Sequence, residues 1–240
     1  MRQRLPNSPL VEVAFEVRFP GSFEVPARLD AFQRELGDSF PKLMVPNVKD
    51  GEAPALKPFS FVSVDDTERI NVALNLFAYV TTQYATFSEF RDRSLQLWRR
   101  FRSLLHEPRS LTRFGLRYVN SLPWVEDVRS ARLHPWLNLG LVPSDDRPVT
   151  QLQIDLVTRV DDDGAALRTS LSRVHEVSKV GASGARDVAA EVLLLDFDYS
   201  IKSIPLERVE GALESGHAVI DTTFFGMLTD EGLRSLGGTE

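Results

Sequence analysis

The sequence predicts an α+β fold, with antiparallel sheets packed against long helices. Three observations predict it: runs with a two-residue apolar period, two long stripes at helical spacing, and Pro/Gly breaks between them. Residues 11–19, VEVAFEVRF, put Val11, Val13, Phe15, Val17 and Phe19 on one parity. Glu12, Ala14, Glu16 and Arg18 take the other, the pattern of a half-buried strand. Pro20-Gly21 ends it. A helix is expected over 27–37, where Leu29, Phe32, Leu36 and Phe40 fall near helical spacing. Residues 41–58 hold four prolines and Gly51, so they read as an irregular loop.

Residues 59–64 and 69–83 flank the polar turn Asp65-Asp66-Thr67-Glu68 and read as an antiparallel hairpin. Thr86 and Glu89 then stand at the spacing of a capping box. The helix they open carries Phe87, Phe90, Leu97, Trp98, Phe101, Leu104 and Leu105 on one stripe as far as His106. Alternation resumes over 112–122 and stops at Pro123. The order β-α-β-β-α-β over residues 1–125 is that of a ferredoxin-like split unit.

Residues 126–240 form a second α+β half, packed with the first as one unit. Its expected elements are a short helix near 129–138 and strands at 149–160, 165–177 and 189–200. Asp161-Asp162-Asp163-Gly164 makes the first hairpin turn, and the glycines of 181–186 sit in the second. A long helix over 205–227 starts at Pro205, and Thr229 caps a terminal helix over 230–236. A second architecture is a single curved antiparallel sheet gripping the long C-terminal helix. The strong helix between strands of the first half favours two packed units.

Composition narrows the chemistry. An apolar fraction of 42% with 15 Phe and 3 Trp supplies a core, and a net charge of −6 argues against a protein that coats DNA. The absence of cysteine removes disulfides, thiolate metal sites and cysteine nucleophiles. Neither a membrane span nor a secretory signal's apolar core is present in the sequence, so a cytoplasmic protein is expected, with no membrane partner.

Several stretches taken together, PLVEVAFEVRFP at 9–20, Tyr84 to Phe90, GLRYVN at 115–120, LLLDFDY at 193–199 and HAVIDTTFFGMLTDEGL at 217–233, resemble a sporadically distributed family of bacterial proteins. That family has no assigned activity and supplies no catalytic residues. Its patchy distribution implies mobile genes of the defence, toxin–antitoxin or accessory type. The resemblance therefore implies a binding or regulatory role by protein–protein recognition.

Three constellations stand out. Asp196 and Asp198 share one face of a strand about 7 Å apart, a spacing that suits an acid/base pair or a hard cation, with His217 or His175 as helpers. They equally suit pairing with arginines on a neighbouring strand, such as Arg113 or Arg117. His217 itself has Glu214 and Asp221 within a turn, or simply packs its helix. Residues 91–117 hold eight arginines against Asp92 and Glu107, leaving that segment at about +6. Arg91, Arg99, Arg100, Arg102, Arg113 and Arg117 form the candidate interaction surface, for an acidic protein or for nucleic acid through the helix over 87–106. The alternative is a solvated helix face paired to nearby acids.

No phosphate loop, serine elbow or calcium-loop pattern is present, and no cofactor or metal is expected. The sequence leans away from an enzyme and leaves homo-oligomerisation open. A small-molecule sensor with a cavity under the C-terminal helix is a further reading.

Overall fold

The computed structural model describes residues 5–46, 57–106, 110–124, 134–139, 151–161, 164–176 and 190–238. Nine strands join into one antiparallel sheet: β1 (Leu10–Arg18), β2 (Lys42–Met44), β3 (Phe59–Val62), β4 (Glu68–Ala73), β5 (Leu76–Thr81), β6 (Leu111–Pro123), β7 (Gln153–Arg159), β8 (Ala165–Glu176) and β9 (Ala190–Ile204). Their spatial order is β2-β3-β4-β5-β1-β6-β9-β8-β7. The helices are α1 (Glu24–Leu36), α2 (Phe87–Arg102), α3 (Val209–Met227) and α4 (Asp230–Ser235).

One continuous sheet replaces the two packed sheets expected from sequence, so the second architecture is the nearer description. The seam is β6, which pairs with β1 on one side and β9 on the other. Within the first half, β4-β5-β1-β6 places the first strand between the third and the fourth, the arrangement of the split unit. β2 and β3 extend it at one edge, and the meander β9-β8-β7 at the other.

Two local expectations are corrected. Residues 69–83 are two strands, because the buried parity changes from Ile70 and Val72 to Phe77 and Tyr79, which requires a turn between them. Within the stretch read as loop, Lys42–Met44 forms an edge strand on β3, too short to show a period. Of the helix expected over 129–138, only 134–138 lie among the described residues, and they form a turn and a bridge from Leu137 to Leu228.

All three long helices bury their stripes on one side of the sheet. Thr86 caps α2 by accepting from the Glu89 backbone N–H at 3.2 Å. Phe90, Leu97, Trp98 and Phe101 then face inward at helical spacing. Phe77 of β5 receives Phe101, Trp98 and Phe32 of α1 at centroid distances of 5.1, 5.4 and 6.4 Å. Gly37, at φ +54°, ends α1 in a conformation that side chains disfavour. Farther along, α3 crosses β9 with Phe224 edge-on to Phe197 and Gly216 against the Tyr199 ring. The opposite side of the central strands carries none of these helices and is polar.

Candidate binding face of the sheet

Alternation along each strand assigns the polar parity to that face, uncovered among the described residues. In the strand register, Arg69, Val80, Ala14, Arg117, Asp198 and Arg168 form one row across β4, β5, β1, β6, β9 and β8. The next row is Asn71, Ala78, Glu16, Gly115, Ser200 and Ala166. Beyond it stand Leu76, Arg18, Arg113 and Lys202. The face is concave, enclosing about 690 Å³.

Ion pairs tie the strands together. Arg113 donates from Nη1 to Glu16 Oε1 at 2.6 Å and from Nη2 to both oxygens of Asp198 at 2.8 and 2.9 Å. Arg18 Nε donates to the same Glu16 oxygen at 2.8 Å. Arg117 grips Asp196 through Nε at 2.9 Å and Nη2 at 2.7 Å, the forked geometry that holds a guanidinium in one plane. At the margins, Arg69 approaches Glu12 at 3.8 Å and Arg168 donates to Asp155 at 2.8 Å.

The two charges lie at different depths. Arg18, Arg69, Arg117 and Arg168 are 45–55% exposed, whereas Glu12, Glu16, Asp196 and Asp198 are 23–33% exposed. Carboxylates and Arg113, which is 26% exposed, form the floor, and the other four guanidinium groups the outer layer. Burial pushes the Asp198 carboxyl above its ordinary range, with Glu16 and Asp196 adding to the rise, against the pull of Arg113. The hydrogen bonds that Arg117 donates to Asp196 raise its pKa above the usual value.

The sequence-derived acidic set divides here. Asp196 and Asp198 do share a face, and each holds the arginine named as its neighbour. His217 is on the other side of the sheet, where Nδ1 lies 3.0 Å from the hydroxyl of Tyr118, a residue of the buried parity. The Phe87 ring stacks on the imidazole at 3.9 Å, and the Tyr84 hydroxyl lies 3.3 Å from that of Tyr118. Burial lowers the His217 pKa, and Asp221 opposes this. Joint chemistry of His217 with the two aspartates is therefore excluded by geometry. The His175 side chain lies outside the described residues.

The arginine set divides as well. Arg113 and Arg117 belong to the uncovered face, while Arg91, Arg99, Arg100 and Arg102 lie on α2, on the helical side. Arg91 pairs with Glu214 at 3.0 Å and Arg99 with Glu210 at 3.5 Å, tying α2 to α3. Arg93 reaches Glu68 on β4, and the Arg102 guanidinium lies 5.8 Å from the Trp98 ring centroid. Arg109 is outside the described residues.

Glu12, Glu16, Arg18, Arg69 and Arg168 were not singled out from sequence. The signal was present in the polar parity of residues 11–19, which names three of them. Among the described residues no group of three or more His, Asp or Glu side chains could hold a metal ion. No helix among them is long and apolar enough to cross a membrane. Compared with models of known protein families and with curated protein sequences, the chain matches none.

Proposed function

We propose that this is a non-enzymatic binding or regulatory protein that recognises another protein on the uncovered face of its sheet. The single observation that carries the reading is the layered ion-pair lattice on that face. Its carboxylates are already occupied by guanidinium groups, so they are not poised for proton transfer or for a cation. Arg18, Arg117 and Arg168 are held by hydrogen bonds to acids and are about half-exposed, which suits them to recognition at low entropic cost.

Nucleic acid is the less favoured partner. Among the described residues no aromatic side chain lines the concavity, so bases would find no stacking platform there. Of the arginines of α2, the other candidate for phosphate, Arg91 and Arg99 are drawn into pairs with α3.

Affinity capture from the organism that encodes the chain tests the proposal. A stoichiometric protein partner should be retained by the parent chain and by Arg99→Glu/Arg100→Glu, and lost by Arg69→Glu/Arg168→Glu. Retention by both variants, or loss by the α2 variant alone, would remove the uncovered face from the role.

A further inference from the structure

The register of the sheet places small residues between two basic rows. Arg69, Arg117 and Arg168 stand on one side with Asp198 among them, Arg18, Arg113 and Lys202 on the other, and Asn71, Ala78, Glu16, Gly115, Ser200 and Ala166 lie in the row between. Rows on one face of a sheet recur every second residue, so the basic rows are about 13 Å apart between Cα positions. Five strand spacings separate Arg69 from Arg168, about 24 Å. The result is a trough running across the strands, floored mainly by small side chains and walled by arginine and lysine side chains.

Gly115 lets a guanidinium lie low at the centre of this trough. A Cβ there would fall 2.5 Å from Arg113 Nη1, so the absence of a side chain lets that guanidinium lie flat against the sheet. Glu16, the only acid in the middle row, is covered by Arg18 and Arg113.

Resting on the protein-recognition reading above, we infer that the occupant of the trough is an extended acidic segment of the partner, a run of Asp and Glu. The dimensions fit one extended chain: 24 Å accommodates about seven residues at about 3.3 Å each. Successive side chains of such a chain point alternately to its two sides, so adjacent carboxylates reach the two basic rows in turn. Of the cations they meet, Arg18, Arg113, Arg117 and Arg168 are already held by hydrogen bonds to acids of the sheet. A nucleic-acid strand satisfies the charge but leaves its bases against Ala78, Val80 and Gly115, with no ring among the described lining residues to stack on.

Fluorescence anisotropy at low ionic strength tests this with three labelled probes: heptaglutamate, heptalysine and an oligothymidylate of equal extended length. Heptaglutamate should bind saturably, and heptalysine should not. Arg69→Glu/Arg168→Glu should weaken heptaglutamate by roughly tenfold or more, while Arg99→Glu/Arg100→Glu leaves it unchanged. Gly115→Ser, which fills the floor without changing charge, should also weaken it, with thermal melts confirming that each variant is folded. Tighter binding of oligothymidylate through the same arginines would overturn the inference in favour of nucleic acid. Failure of every probe, while partner capture still depends on Arg69 and Arg168, would overturn the acidic occupant and leave protein recognition standing. Partner capture indifferent to those arginines would remove the reading beneath it.

Discussion

The guanidinium of Arg113 lies over Gly115, two residues along its own strand, in the space that a Cβ at position 115 would occupy. From there it bridges Glu16 on β1 and Asp198 on β9, linking the three central strands on the uncovered face. A glycine in the middle of a long strand weakens that strand, so its presence here is explained by what it makes room for.

Gly115→Ala should therefore displace Arg113 from one of its two carboxylates. Strand propensity improves as the ion pairs are lost, so the net change in stability should stay within about 1 kcal/mol. The side-chain Nε resonance of Arg113 should nevertheless shift and broaden in nitrogen-15 NMR spectra. An unchanged resonance would show that the slot does not hold the guanidinium.

Asp198 gives a pH dependence of defined sign. Its folded carboxyl keeps its proton to higher pH than an unfolded aspartate, because burial raises its pKa. Folding therefore takes up a proton between the two values, and this contribution to stability falls as pH rises through that window. Asp198→Asn should flatten the slope, and carboxyl carbon-13 titration of the parent should place Asp198 above free aspartate.

His217 predicts the opposite trend near neutrality. Burial depresses its folded pKa, as it does for His134, so the unfolded chain binds the extra protons as pH falls below about 6.5. Stability should rise with pH through that region. Melting temperatures of the parent and of His217→Gln across the range should show a shallower dependence in the variant.

Gly216 is the point of closest approach between α3 and β9. A Cβ there would lie 2.6 Å from Tyr199 Cδ1, so Gly216→Ala should force the helix or the ring to move. The cost is about 1–3 kcal/mol despite better helix propensity, measurable by urea denaturation. Arg99→Ala on exposed α2 should change stability by less than about 1 kcal/mol in the same assay, since its pair with Glu210 is solvent-screened.

The elements of this fold were largely legible, because β1, α2 and α3 each carry one clean period. What periodicity could not supply was pairing. The sheet became continuous through β6, and nothing in residues 111–123 says that both edges of that strand are taken. The parity change between Val72 and Phe77 did mark a turn, but it is visible only when the buried parity is tracked residue by residue.

The candidate site was legible by residue type and hidden by position. Asp196, Asp198, Arg113 and Arg117 were all suspect, and their pairing was one of the readings weighed. Grouping Arg113 and Arg117 with the helical arginines followed their nearness in sequence, whereas strand alternation carries them through the sheet to the other side. His217 was grouped with the aspartates for its chemistry alone. No local cluster of like charge marks Arg69 or Arg168 in the sequence, and only the register brings them into one row.

Arginine-selective footprinting of the captured complex with phenylglyoxal tests the central claim most directly. Recognition on the uncovered face predicts that Arg69, Arg117 and Arg168 lose reactivity when the partner is bound, while Arg99 and Arg100 on α2 react as in the free protein. Protection of Arg99 and Arg100, with the three sheet arginines still reactive, would contradict it.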